Sequence, residues 1–176
     1  MALVVFLRGM NVGGHRSFRP TALARQLQHL DAINIGAAGT FVIGKRIGRR
    51  QLRTEITSRI PFDAEIIICE GREIAGLLSH DYFVGYQARD NVVRFVSILS
   101  RRPEATSLPF SLPTRGSWLL RVLGRSGRFV FGVYRRDMKV IRYLGKLDEI
   151  FGVRATTRNW NTLTTITKVL NARTTG

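Results

Sequence analysis

Six apolar segments in the first half of the chain run in the order strand, helix, strand, strand, helix, strand, and that order leaves few folds open. Residues 1–8 read as a buried strand that runs into glycines. Pro20 suits the first turn of a helix, where its missing N–H is no loss. Leu23, Leu27 and Leu30 then mark one helical face. Residues 31–35 and 40–43 are short strands, with Gly36 and Gly39 bracketing the turn between them. Leu52, Ile56 and Ile60 repeat every four residues in a helix over 48–60, which Pro61 stops. Residues 64–69 form a strand around Ile66, Ile67 and Ile68, and 73–78 a short helix. Four strands with two helices on one face in this order predict a ferredoxin-like sandwich.

The second half opens with a strand over 92–99. Residues 101–114 carry Pro103, Pro109 and Pro113 and read as a long connection with room for one short helix. Trp118, Leu120 and Val122 alternate along one strand and Phe129, Phe131 and Val133 along the next. The turn over 124–127 makes the pair a β-hairpin. Residues 138–151 look helical, and a last helix over about 160–171 carries Leu163, Ile166, Val169 and Leu170 on its inner side. The expected class is α+β in two lobes: a ferredoxin-like lobe over 1–85, a related smaller lobe over 91–172 with a hairpin and two C-terminal helices, and a flexible tail over 173–176.

Composition narrows the function classes. With 44% apolar residues in 176, a core is within reach and wholesale disorder is not expected. No run approaches the ~20 apolar residues that cross a bilayer, and 2–7 is too short for a signal peptide, so a soluble, cytoplasmic protein without a membrane partner is expected. The single Cys69 excludes an internal disulfide framework and any multi-cysteine zinc site. His15, His29 and His80 lack ligand spacing, so no metal or other cofactor is expected. The balance of 28 Lys and Arg against 12 Asp and Glu leaves +16, and 24 of the basic residues are Arg. GC-rich codon usage explains Arg over Lys. It does not explain the scarcity of carboxylates. A field of this sign draws phosphates, and Arg grips them through a planar fork.

Two segments carry a family resemblance. Leu7-Arg8-Gly9-Met10-Asn11-Val12-Gly13-Gly14 follows the first strand, and Ala155-Thr156-Thr157-Arg158-Asn159-Trp160-Asn161-Thr162 opens the last helix. Together they resemble the uncharacterised bacterial family catalogued as domain of unknown function 1697. The likeness implies two α+β lobes of ferredoxin-like character and no established activity. The chain departs from that pattern at two polar runs. Ala37-Ala38-Gly39-Thr40 stands where members carry Gln-Ser-Gly-Asn, and Arg136-Asp137-Met138-Lys139 where they carry Gly-Arg-Ser-Lys.

Three sites compete. In the first, Gly9, Gly13 and Gly14 permit turns whose N–H groups form an anion-binding nest beside Arg8 and Asn11. Arg158 and Asn159 would clamp the same anion from the other lobe, although Asn159 reads as plainly as a helix N-cap. In the second, Arg46, Arg49, Arg50 and Arg53 make one basic stripe if the helix starts near Arg46, suited to a phosphate backbone or simply solvated. In the third, Phe129, Phe131 and Tyr134 have the spacing of base-stacking aromatics in RNA-recognition modules, or of hairpin core residues. No spacing specifies a catalytic set, so whether the chain is an enzyme stays open. The leading expectation is a binder of nucleic acid or another polyanion. The alternatives are an enzyme or sensor for a small phosphorylated or anionic metabolite in an interlobe cleft, and a protein–protein interaction module. Nothing in the sequence specifies an oligomeric state.

Overall fold

A computed structural model describes residues 1–9, 18–87, 89 and 91–174 of the chain. Two units result: Met1–Leu78 with Asn161–Gly176, and Ser79–Trp160.

In the first unit, β1 (Leu3–Arg8), α1 (Pro20–Gln26), β2 (Ala32–Ile35), β3 (Thr40–Ile43), α2 (Arg49–Thr57), β4 (Glu65–Glu70) and α3 (Gly71–Leu77) follow in that order. The sheet order is β2-β3-β1-β4, antiparallel throughout, with Val4 opposite both Val42 and Cys69. This is the ferredoxin-like arrangement. Leu3, Val5 and Leu7 alternate onto one face of β1 and meet Leu23 of α1, Leu27 at its C-terminal cap, and Leu52 and Ile56 of α2. Alternation in the strand and four-residue spacing in the helices thus converge on one core. A reciprocal cap opens α3: the Glu70 N–H donates to Glu73 Oε2 at 2.7 Å, and the Glu70 side chain accepts from the Glu73 N–H.

The second unit holds β5 (Val92–Leu99), β6 (Phe110–Leu112), β7 (Leu120–Ser126), β8 (Phe129–Arg135), α4 (Val140–Gly145), α5 (Leu147–Phe151) and β9 (Ala155–Asn159). Its sheet order is β6-β7-β8-β5-β9. One face carries Phe95, Leu99, Leu120, Val122 and Val130 against Val140, Leu147 and Phe151 of the helices. On the other, Phe131 packs with Tyr82, Phe83 and Trp160. The helix α6 (Trp160–Thr174) starts at that tryptophan, and its remaining residues belong to the first unit.

Several expectations are corrected. The division falls after Leu78 rather than over 85–91, because Phe83 is buried and Arg94 Nε donates to the Tyr86 carbonyl at 2.8 Å, tying this stretch to the second unit. Residues 161–172 go with the first unit. Arg173 is helical and paired with Asp31 rather than part of a loose tail. The connection over 101–114 contains an edge strand, not a helix. Pro109 and Pro113 flank it, which an edge tolerates. The single helix over 138–151 is two, broken at Lys146, whose N–H bonds back three residues to Tyr143 rather than four. Ala155–Asn159 is a strand. Its Thr-rich sequence shows no apolar alternation, but β-branched residues fit a ladder, and Thr157 bonds Ser97 across it at 2.6 Å. No helix among the described residues is long and apolar enough to cross a membrane.

Candidate functional site

The glycine loop after β1 is seen only at its start. Arg8 ends the strand opposite Glu65. Gly9 has φ +93°, a conformation that other residues adopt only with strain, and a Cβ there would stand 3.4 Å from the Asp63 carbonyl oxygen. Asn11, Gly13 and Gly14 lie outside the described residues. Arg8 belongs to the first unit, Arg158 and Asn159 to the second.

Arg158 is not an open clamp. It lies opposite Val96 in the β5–β9 register, is 8% exposed, and donates from Nη1 to the Thr157 carbonyl at 3.0 Å. Loss of hydration on burial lowers its pKa from the ordinary arginine range to about 10. The unfolded chain therefore holds this proton more tightly than the folded one. The penalty on the folded state is full below the folded value and is relieved as pH rises through it. The stability difference between Arg158→Met and the native chain should accordingly shift in favour of the native chain as pH rises through about 10. Denaturant melts of both proteins across that range check this; parallel curves would contradict it.

The arginine stripe is shorter than expected. Gly48 caps α2, so Arg46 lies before the helix. Arg49 is engaged, with Nη2 at 3.3 Å from Glu70 and 3.6 Å from Glu73. Arg50 and Arg53 remain exposed on the helix, without an ion-pair partner among the described residues. The aromatic trio divides: Phe129 and Phe131 are buried on one sheet face, while Tyr134 packs with the helical core on the other. They form core, and cannot stack together on bases.

A different cluster comes together in the second unit. Ser111 of β6 stands directly opposite Arg121 of β7, and Arg121 Nε donates to Ser111 Oγ at 2.9 Å. Arg121 Nη1 donates to Tyr86 Oη at 2.7 Å. These two bonds orient the guanidinium and leave Nη2 without a protein partner among the described residues. The Trp118 ring carries two cations, with Arg121 Cζ at 4.8 Å and Arg135 Cζ at 4.5 Å from its centroid. Arg135 Nε is buried with no hydrogen-bond acceptor. Neither arginine has a carboxylate partner among the described residues. In the first unit, by contrast, Arg49, Arg59, Arg72 and Arg173 are all ion-paired. Each ring contact contributes only about 0.5–1 kcal/mol at a partly exposed position. Two like charges against one indole thus retain unspent attraction for an anion.

Beside Arg121 opens a cavity of about 520 Å³, in the range of small-ligand sites. Tyr82, Tyr86, Phe110 and Leu123 form much of its wall, and Asp81 contributes a carboxylate. Leu123 reaches it through a β-bulge: Val122 faces Gly132 and Gly124 faces Phe131, which leaves Leu123 as the extra residue. The first unit has a cavity of about 720 Å³ lined by Arg72 and Arg173 among others, but their charges are spent on Glu70 and Asp31.

Apolar periodicity contains no trace of Tyr86, Trp118, Arg121 and Arg135 as a group. One signal does: residues 105–136 include six arginines and no carboxylate.

No family model matches the chain, and neither does any curated protein. Among solved structures, the conserved bacterial protein SP0830 from Streptococcus pneumoniae is similar over 96% of this chain and 98% of its own, with TM-score 0.59 and 13% identity. That likeness is one of fold.

Proposed function

We propose that this protein binds nucleic acid as a polyanion, without catalysis, through the arginine face of its second unit. The observation that carries the reading is the Trp118 ring, which holds the guanidinium groups of Arg121 and Arg135 with no carboxylate among the described residues to neutralise either. Phosphate is the fitting counterion, because a guanidinium fork meets two of its oxygens at once. A repeating phosphate chain satisfies several such forks together. Arg50 and Arg53 give the first unit a second, smaller cationic face. A cytoplasmic location and kinship with the family of domain of unknown function 1697 belong to the same proposal. The two motif segments support the kinship.

Fluorescence anisotropy with labelled oligonucleotides over a salt series tests it. Affinity should fall steeply with salt, and Arg121→Ala with Arg135→Ala should reduce the slope of log affinity on log salt by about two, roughly one for each lost phosphate contact. Absence of binding at about 50 mM salt, or a double variant that behaves as the native chain, would dispose of the reading.

A further inference from the structure

The cavity beside Arg121 deepens that reading, on which it rests: we infer that it receives one unstacked nucleotide, base inside and phosphate on Arg121, so that the preferred polymer is single-stranded. Two features argue for a base. The wall is about half apolar, and Tyr82 and Tyr86 contribute rings to it. Every base has a π-face that such rings accept without regard to sequence. The rings are also held in place before any ligand arrives. Tyr82 is stacked on Phe131 at 3.7 Å between centroids with an interplanar angle of 9°, and Tyr86 is fixed at its hydroxyl by Arg121 and at its carbonyl by Arg94. Prepositioned rings lose little freedom on binding.

The charges set the orientation. Asp81 is part of the wall, and its Oδ1 accepts the Phe83 N–H at 2.9 Å. A carboxylate there repels a phosphate that enters the cavity, yet accepts an N–H from a base edge. Among the described residues, Arg121 supplies the only positive charge on the wall, oriented by Ser111 and Tyr86. Base towards Asp81 and phosphate towards Arg121 is the one arrangement that opposes no like charges. A free phosphate or a small polyphosphate cannot use the apolar wall. A duplex cannot present an unstacked base to it.

Val84 offers a clean test. It lines the cavity and is 77% exposed, so a larger side chain can obstruct the opening without entering the core. Anisotropy should show a single strand binding about ten-fold or more tightly than a duplex of the same sequence and salt, the gain expected from stacking one base. Val84→Trp should abolish that preference while duplex affinity and salt slope stay as they were. Equal affinity for the two forms, or single-strand affinity in Val84→Trp that matches or exceeds the native value, overturns the inference. Loss of affinity for both forms in the Arg121→Ala, Arg135→Ala protein would then still uphold the polyanion reading. No binding of either form at low salt removes both.

Discussion

Gly132→Ala should lower the thermal midpoint of the second unit by more than about 10 °C. Gly132 sits in the middle of β8, opposite Val122 on one side and Phe95 on the other. A Cβ at this position would stand 2.5 Å from Phe95 Cζ and would also run into the Arg121 backbone carbonyl. Phe95 is fully buried, so its ring has no solvent to turn into. The carbonyl belongs to the β7 ladder and cannot rotate away. Relief therefore requires parting β7 from β8, at a cost of about 3 kcal/mol or more, the upper end of overpacking in a core. That is a large share of the ~5–15 kcal/mol that holds a domain folded. The two tryptophans, Trp118 and Trp160, both lie in the second unit, so their emission follows this transition alone. Because Arg121 is on the displaced strand, oligonucleotide affinity should fall with stability. An unchanged midpoint would show that β7 and β8 have slack that their register does not suggest.

What could be read from the residues, and what could not, follows the range of the interactions. The first unit was legible because its signals are local. Leu23 and Leu27, and Leu52 and Ile56, each declare a period within a few residues, the unbroken isoleucine run marks β4 as a buried strand, and Pro20 and Pro61 mark two helix ends. The hairpin was legible for the same reason, though its bulge at Leu123 was not. β9 escaped because its stability comes from the β5 ladder and from Ser97, sixty residues away in sequence, and not from its own pattern. The allocation of α6 escaped because a helix face says that it is buried, not in which unit. The candidate site was the least legible part. Tyr86, Ser111, Trp118, Arg121 and Arg135 meet only because β6 pairs with β7 in one register and the stretch before β5 folds back onto the sheet. The arginine run at 46–53 looked stronger in sequence, yet one member lies outside the helix and another is neutralised by Glu70 and Glu73.

Phe131→Ala is the second substitution with a large expected effect, and it separates the scaffold of the cavity from its charge. Phe131 is fully buried; besides the Tyr82 stack it makes edge contacts to Trp160 at 5.7 Å and Phe83 at 6.4 Å between ring centroids. Truncation to Ala removes the transfer energy of the ring and leaves a void among large neighbours, about 3–5 kcal/mol in all. Phe131→Leu keeps most of the volume and should lose under about 1.5 kcal/mol beyond the aromatic contacts, which contribute roughly 0.5–1.5 kcal/mol each. In a Trp118→Phe background, Trp160 reports the cluster by its emission, which should move to the red in Phe131→Ala as water reaches the ring. The functional consequence is more selective. Tyr82 keeps its place in the cavity wall by lying flat on Phe131. A folded Phe131→Leu protein should therefore bind duplex as the native chain does, because Arg121 and Arg135 are untouched, yet lose part of its advantage for single strands. A Phe131→Leu protein that keeps the full single-strand preference would mean that Tyr82 does not depend on Phe131 for its position. The cavity wall would then be held chiefly by Tyr86 and its bonds to Arg94 and Arg121.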